Sequence, residues 1–167
     1  MELQKYASIF QRICAKTLPG KKKVQKLFYL IERKGVLLDL NYSIHYFGPY
    51  SSKLDGIMHL LEIKDFISID TTKPRHEIRM QDGFDSTISV FSEEEERKVN
   101  YIIDSFCDMS AAELEALTTS DYVATSILKD ISNDKDIVDY VKIIKGDKFP
   151  DDLLYGSVKK LHNHNFV

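Results

Sequence analysis

Histidine, cysteine and carboxylate side chains are the groups from which metal sites and acid–base centres are built, and this chain of 167 residues holds 5 His, 2 Cys and 26 Asp and Glu. Their spacing does not gather them. His45, His59 and His76 are scattered, and His162 and His164 stand near one another with no Cys or suitably spaced carboxylate to complete a ligand set. A C-terminal tail is the simpler reading of that pair. Neither Cys14 nor Cys107 sits in a motif that would activate its thiol, and no G-x-S-x-G, H-E-x-x-H or Walker-type loop occurs. The acidic run Glu93 to Glu96 reads as the solvated first turn of a helix. The expectation is a chain with no catalytic residues, no metal and no cofactor.

Basic groups are harder to set aside. Arg12, Lys16, Lys21, Lys22, Lys23, Lys26, Arg33 and Lys34 crowd the front of the chain, and Lys73, Arg75, His76 and Arg79 follow. Residues 1–80 carry 14 Lys and Arg against 8 Asp and Glu, a net of +6, while residues 81–167 carry 9 against 18, a net of −9. Such an asymmetry fits a nucleic-acid face on the front half, electrostatic docking between the halves, or two solvated surfaces of opposite sign. For contacts to DNA phosphates, the candidates are Lys21, Lys22, Lys23, Lys73 and Arg75.

The elements that must position these groups follow from apolar periodicity. Leu3, Ala7, Phe10 and Cys14 recur at helical spacing, as do Val24, Leu27, Phe28 and Ile31; Pro19-Gly20 separates the two helices, and Gly35 closes the second. Asn41 to Phe47 is aromatic and β-branched, which predicts a short strand stopped by Gly48-Pro49. Ser51 or Ser52 then caps a third helix carrying Leu54, Ile57, Met58 and Leu61. Phe66–Asp70 and His76–Met80 flank the turn Thr71–Arg75 as a hairpin. Helix, helix, strand, helix, hairpin is the order of a winged helix. The third helix, which would read bases, offers Lys53 and His59 beside Asp55 and Glu62, with no Arg, Asn or Gln for a bidentate base contact.

Residues 81–91 read as a connector and 92–167 as an acidic helical subdomain packed on the first. Ser92 with Glu95, and Ser110 with Glu113, have capping-box spacing. Asn133 or Asp134 caps a further helix with Ile137, Val138, Val141 and Ile144, and Phe149-Pro150-Asp151 opens the last. The predicted class is mainly α (α+β), a winged-helix-like half at 1–80 followed by a helical half. No apolar run approaches the roughly 20 residues that span a bilayer. Met1 to Lys5 lacks the basic and apolar regions of a secretory leader, so a cytoplasmic location with reduced thiols is expected.

Lys26-Leu27-Phe28-Tyr29-Leu30, followed by His45-Tyr46-Phe47-Gly48-Pro49-Tyr50-Ser51 and Leu54, resembles the signature of the uncharacterised YwgA-like bacterial proteins. These are similar in turn to the Panacea antitoxin domain. Ile144-Lys145-Gly146-Asp147-Lys148-Phe149 also resembles the YwgA-like pattern, so the likeness spans most of the chain. The resemblance implies a protein that neutralises or bridges a partner in toxin–antitoxin pairs or phage-defence complexes, where the partner is a toxin, nuclease or ATPase subunit. Tyr42, His45, Tyr46, Tyr50 and Ser51 are the candidate contact residues, since clustered aromatic side chains are favoured interface anchors. The alternative is that Gly48-Pro49 turns the chain while the Tyr rings pack the core. The functional expectation is a noncatalytic protein-binding module, with a DNA-binding regulator as the alternative.

Overall fold

Residues 2–129 and 133–167 are described by the structure, a computed structural model; Met1 of the stretch read for a leader, and residues 130–132 of the expected helical half, lie outside them. Seven α-helices and two antiparallel hairpins are present among the described residues, giving a mainly α chain. No described helix is long and apolar enough to cross a membrane. The chain forms two units, one of Met1–Asn41 and Ser51–Asp108, the other of Tyr42–Tyr50 and Met109–Val167.

The first unit begins with α1 (Glu2–Cys14) and α2 (Lys21–Arg33). Of the expected α1 stripe, Ala7 and Phe10 are buried and Leu3 and Cys14 half-buried, while Tyr6, Ile9 and Ile13, which that stripe did not include, are buried beside them; Val24, Leu27, Phe28 and Ile31 of α2 are all buried, as the periodicity predicts. Phe10 and Phe28 meet at 5.1 Å between ring centroids. Gly35 ends α2 at φ +88, and its own N–H and that of Val36 return to the Glu32 and Ile31 carbonyls. That closure needs a left-handed residue, for which glycine has no steric penalty.

Helix α3 (Ser52–Ile63) starts from Ser51, whose hydroxyl accepts the Leu54 N–H. The hairpin of β3 (Ile67–Asp70) and β4 (Glu77–Met80) follows, with Ile67 opposite Met80 and Asp70 opposite Glu77. The three helices and the hairpin of the expected winged-helix order are present in this unit, whereas the strand expected between the second and third helices lies in the second unit.

Helix α4 (Glu93–Phe106), assigned by sequence to the acidic half, belongs to the first unit and packs on α1 and α2. Its Ser92/Glu95 capping box is formed. Lys5 pairs with Glu95 at 3.4 Å, Arg12 with Glu96 at 2.6 Å and Lys16 with Asp104 at 2.6 Å. The partners rise in the same order along both segments, so the two helices run in the same sense. Each pair is solvated and worth at most about 1 kcal/mol, but together they account for part of the charge asymmetry as docking of a basic helix on an acidic one.

In the second unit, β1 (Ser43–His45) and β2 (Gly48–Tyr50) form a hairpin, with Ser43 opposite Tyr50 and His45 opposite Gly48. The expected single strand over Asn41–Phe47, stopped by Gly48-Pro49, is thus corrected: Gly48 and Pro49 belong to the returning strand. A two-stranded sheet leaves every residue one open edge, so a proline without an N–H is tolerated. Tyr46 and Phe47 become the two-residue loop, and Gly48, at φ +91, lets the backbone reverse.

The hairpin packs on α5 (Ala111–Tyr122), which also packs on α6 (Asp134–Lys145), α7 (Asp151–Asn163) and a π-helical turn at Val123–Leu128. Ala116, Val123, Ala124, Ile137, Val138, Val141, Phe149, Leu154 and Val158 make the core. Ser110 and Glu113 form the second capping box and Asn133 caps α6.

Candidate functional site: an aromatic hairpin tip on a buried ion cluster

Glu115 lies one residue beyond Leu114 on α5 and points inward, with its side chain only 7% exposed. A lone carboxylate at that depth would be costly, and two ammonium groups neutralise it. Lys145, in the last turn of α6, places Nζ 2.9 Å from Glu115 Oε1, and its side chain is 4% exposed. Lys148, three residues on, donates to Oε1 at 2.8 Å and to Oε2 at 3.0 Å. Gly146, at φ +59, turns the chain between the two lysines. The Lys145 ammonium also donates to the Tyr46 carbonyl oxygen, so it ties the hairpin loop to the cluster.

The walls of the cluster are aromatic. Lys148 Nζ is 5.3 Å from the Tyr46 ring centroid, 5.0 Å from that of Phe47 and 5.5 Å from that of Phe149. Ring faces carry negative potential, so these contacts favour the ammonium. Tyr46 and Phe47 meet edge to face at 4.8 Å and 89°. Tyr46 is nevertheless 79% exposed and Phe47 40% exposed. Two large rings are thus presented outward on a tight hairpin.

Several of the candidate contact residues thereby acquire definite positions. His45 is exposed, its ring 4.9 Å from that of Tyr50, and its Nε2 is 3.1 Å from Ser43 Oγ. Tyr42 and Tyr50 are half-buried, so for them the packing alternative holds in part. Ser51 is fully buried and is corrected from contact residue to structural residue. Its hydroxyl donates to the Leu40 carbonyl at 2.5 Å and accepts from Leu54 N–H, and its backbone N–H and C=O are both bonded by the Gln25 amide. Phe47, Glu115, Lys145 and Lys148 were not singled out by sequence as site residues, although three of them lie in two of the three motifs of the resemblance.

The phosphate-contact candidates divide. Lys73 pairs with Glu77 at 2.9 Å, and Lys21 stands 3.7 Å from Asp55. A Cβ on Gly20, the residue before α2, would stand 3.1 Å from Arg75 Cγ, so the Arg75 stem lies against the start of the helix that carries Lys21, Lys22 and Lys23. Arg75 also donates to the Leu18 carbonyl at 3.4 Å. Lys53 of α3, by contrast, is drawn to Asp39 at 2.9 Å.

Among the described residues, no three His, Cys, Asp or Glu side chains gather as metal ligands. Burial pushes the Cys14 thiol up to about 11 and raises that of Cys107 as well, so both stay protonated at neutral pH. His162 pairs with Asp134 at 2.8 Å beside a cleft of about 410 Å³ that Thr125 also lines. The Thr125 hydroxyl donates to the Asp121 carbonyl at 2.8 Å.

A scan against protein-family models finds no match, and a comparison with curated proteins likewise finds none.

Proposed function

We infer that this chain is a noncatalytic protein-binding module whose contact centres on Tyr46 and Phe47, with His45 beside them. The observation that carries this reading is the pair of exposed aromatic rings mounted on a hairpin loop and fastened from beneath by Lys145 to a buried carboxylate. Exposed aromatic anchors on a rigid support are what protein interfaces use most. The resemblance to YwgA-like proteins and the Panacea antitoxin domain supports a place in a bacterial conflict system, as an antitoxin or small subunit of a phage-defence complex. The partner would then be a toxin, nuclease or ATPase subunit. Co-expression with the products of neighbouring genes tests this: a stable complex is expected, and Tyr46→Ala with Phe47→Ala should dissolve it while the chain stays folded. A chain that stays alone beside every neighbour sinks the reading.

A second reading, a DNA-binding regulator, is favoured by one observation: Arg75 is laid against the start of α2, beside Lys21, Lys22 and Lys23. Duplex binding at low salt that weakens in Arg75→Ala and Lys22→Ala would support it, because phosphate contacts are strongest there. An autoregulating antitoxin would satisfy both readings.

A further inference from the structure

The Glu115 cluster is not electrically balanced. One carboxylate faces two ammonium groups, leaving a formal charge of +1. Glu115 and Lys145 are shut away at 7% and 4% exposure, whereas the Lys148 side chain is 33% exposed. The excess charge therefore meets solvent at Lys148. An ammonium has three N–H groups; two of those on Lys148 go to Glu115, and the third finds no acceptor among the described residues. Around this donor stand Tyr46, Phe47 and Phe149.

We propose that Lys148 is the anchor for a carboxylate of the partner protein, and that an apolar side chain next to that carboxylate seats on Tyr46 and Phe47. The proposal rests on the protein-binding reading and adds the chemistry of the partner. A charge-assisted hydrogen bond beside apolar walls is stronger than one in open water. Complementarity is local: residues 109–167 carry 10 Asp and Glu against 7 Lys and Arg, so an extended polyanion is repelled while a single carboxylate beside Tyr46 and Phe47 meets the excess charge of the cluster at Lys148.

The test is an amide chemical-shift titration of the full chain with two capped tripeptides, Leu-Glu-Leu and Leu-Gln-Leu. The glutamate peptide is expected to shift Tyr46, Phe47 and Lys148 with millimolar affinity, about tenfold tighter than the glutamine peptide. That preference should shrink in high salt and vanish in Lys148→Met, whose undisturbed hairpin resonances would show that the fold is kept. Equal affinity for the two peptides overturns the carboxylate anchor while leaving the hairpin a protein-binding surface. Shifts confined to other residues, no shift at the tip with either peptide, or a preference that survives Lys148→Met overturns it too, and co-expression with Tyr46→Ala and Phe47→Ala then decides the wider reading separately.

Discussion

Lys145 Nζ and Glu115 Oε1 meet at 2.9 Å with both side chains less than a tenth exposed, and the same ammonium holds the Tyr46 carbonyl. One buried pair thus carries the mounting of an exposed loop. Glu115→Gln leaves two ammonium groups on a neutral amide and should cost about 3–5 kcal/mol, the usual result of stranding a buried charge. In double-mutant cycles by urea denaturation, coupling of Glu115 to Lys145 should exceed its coupling to Lys148, because solvent screens the latter. Hydrogen exchange in Tyr42–Tyr50 should accelerate in Lys145→Met.

Ser51 and Gln25 give a second stability test. Ser51→Ala removes an N-cap and a buried hydroxyl bond to Leu40, and a loss of about 1–2 kcal/mol is expected. Gln25→Leu strands the N–H of Ser51, whose C=O keeps the Asp55 N–H at 3.2 Å, and should cost more, about 2–3 kcal/mol. The opposite order in denaturant melts would show that the cap outweighs the paired backbone.

Three glycines should respond in opposite directions. A Cβ on Gly83 would lie 2.6 Å from the Asp65 carbonyl oxygen, a backbone atom that cannot swing aside; Gly83→Ala is expected to cost about 1–3 kcal/mol. Gly56 in α3 and Gly156 in α7 have nothing within 4 Å of that position. Replacing either with Ala should stabilise by about 0.5–1 kcal/mol through helix propensity, read as a higher melting midpoint.

His162 should titrate above the ordinary histidine range of about 6.5, because its hydrogen bond to Asp134 favours the charged ring. The sign follows from linkage: the stabilisation is fully present below the unfolded value and is lost as pH rises through the folded one. Following the His162 ring protons by NMR measures this, and Asp134→Asn should bring the midpoint back toward the ordinary value. An unchanged midpoint in that variant would mean the pair does not form in solution.

Much of the fold was legible because its signals are local. Capping boxes at Ser92 and Ser110, the Gly35 closure and the apolar phases of α1, α2, α3 and α4 depend on residues three to five apart, which one stretch of sequence displays. The tip hairpin was half legible: aromatic and β-branched residues marked β1, but Gly48-Pro49, a stop signal in isolation, pairs back as β2.

By itself, then, the sequence determined the helices, the caps, the β3–β4 hairpin and the three short motifs on which the resemblance rests. Tertiary structure decided that α4 joins the first unit and that Tyr42–Tyr50 joins the second, since helix periodicity names an apolar face but not its partner. It also decided the site. Glu115 looks like any helical glutamate until Lys145 and Lys148, 30 and 33 residues away, close on it, and Tyr46, 99 residues from Lys145, becomes an anchored ring only when that ammonium takes its carbonyl. Charges so far apart in sequence find one another through packing, which no local pattern encodes.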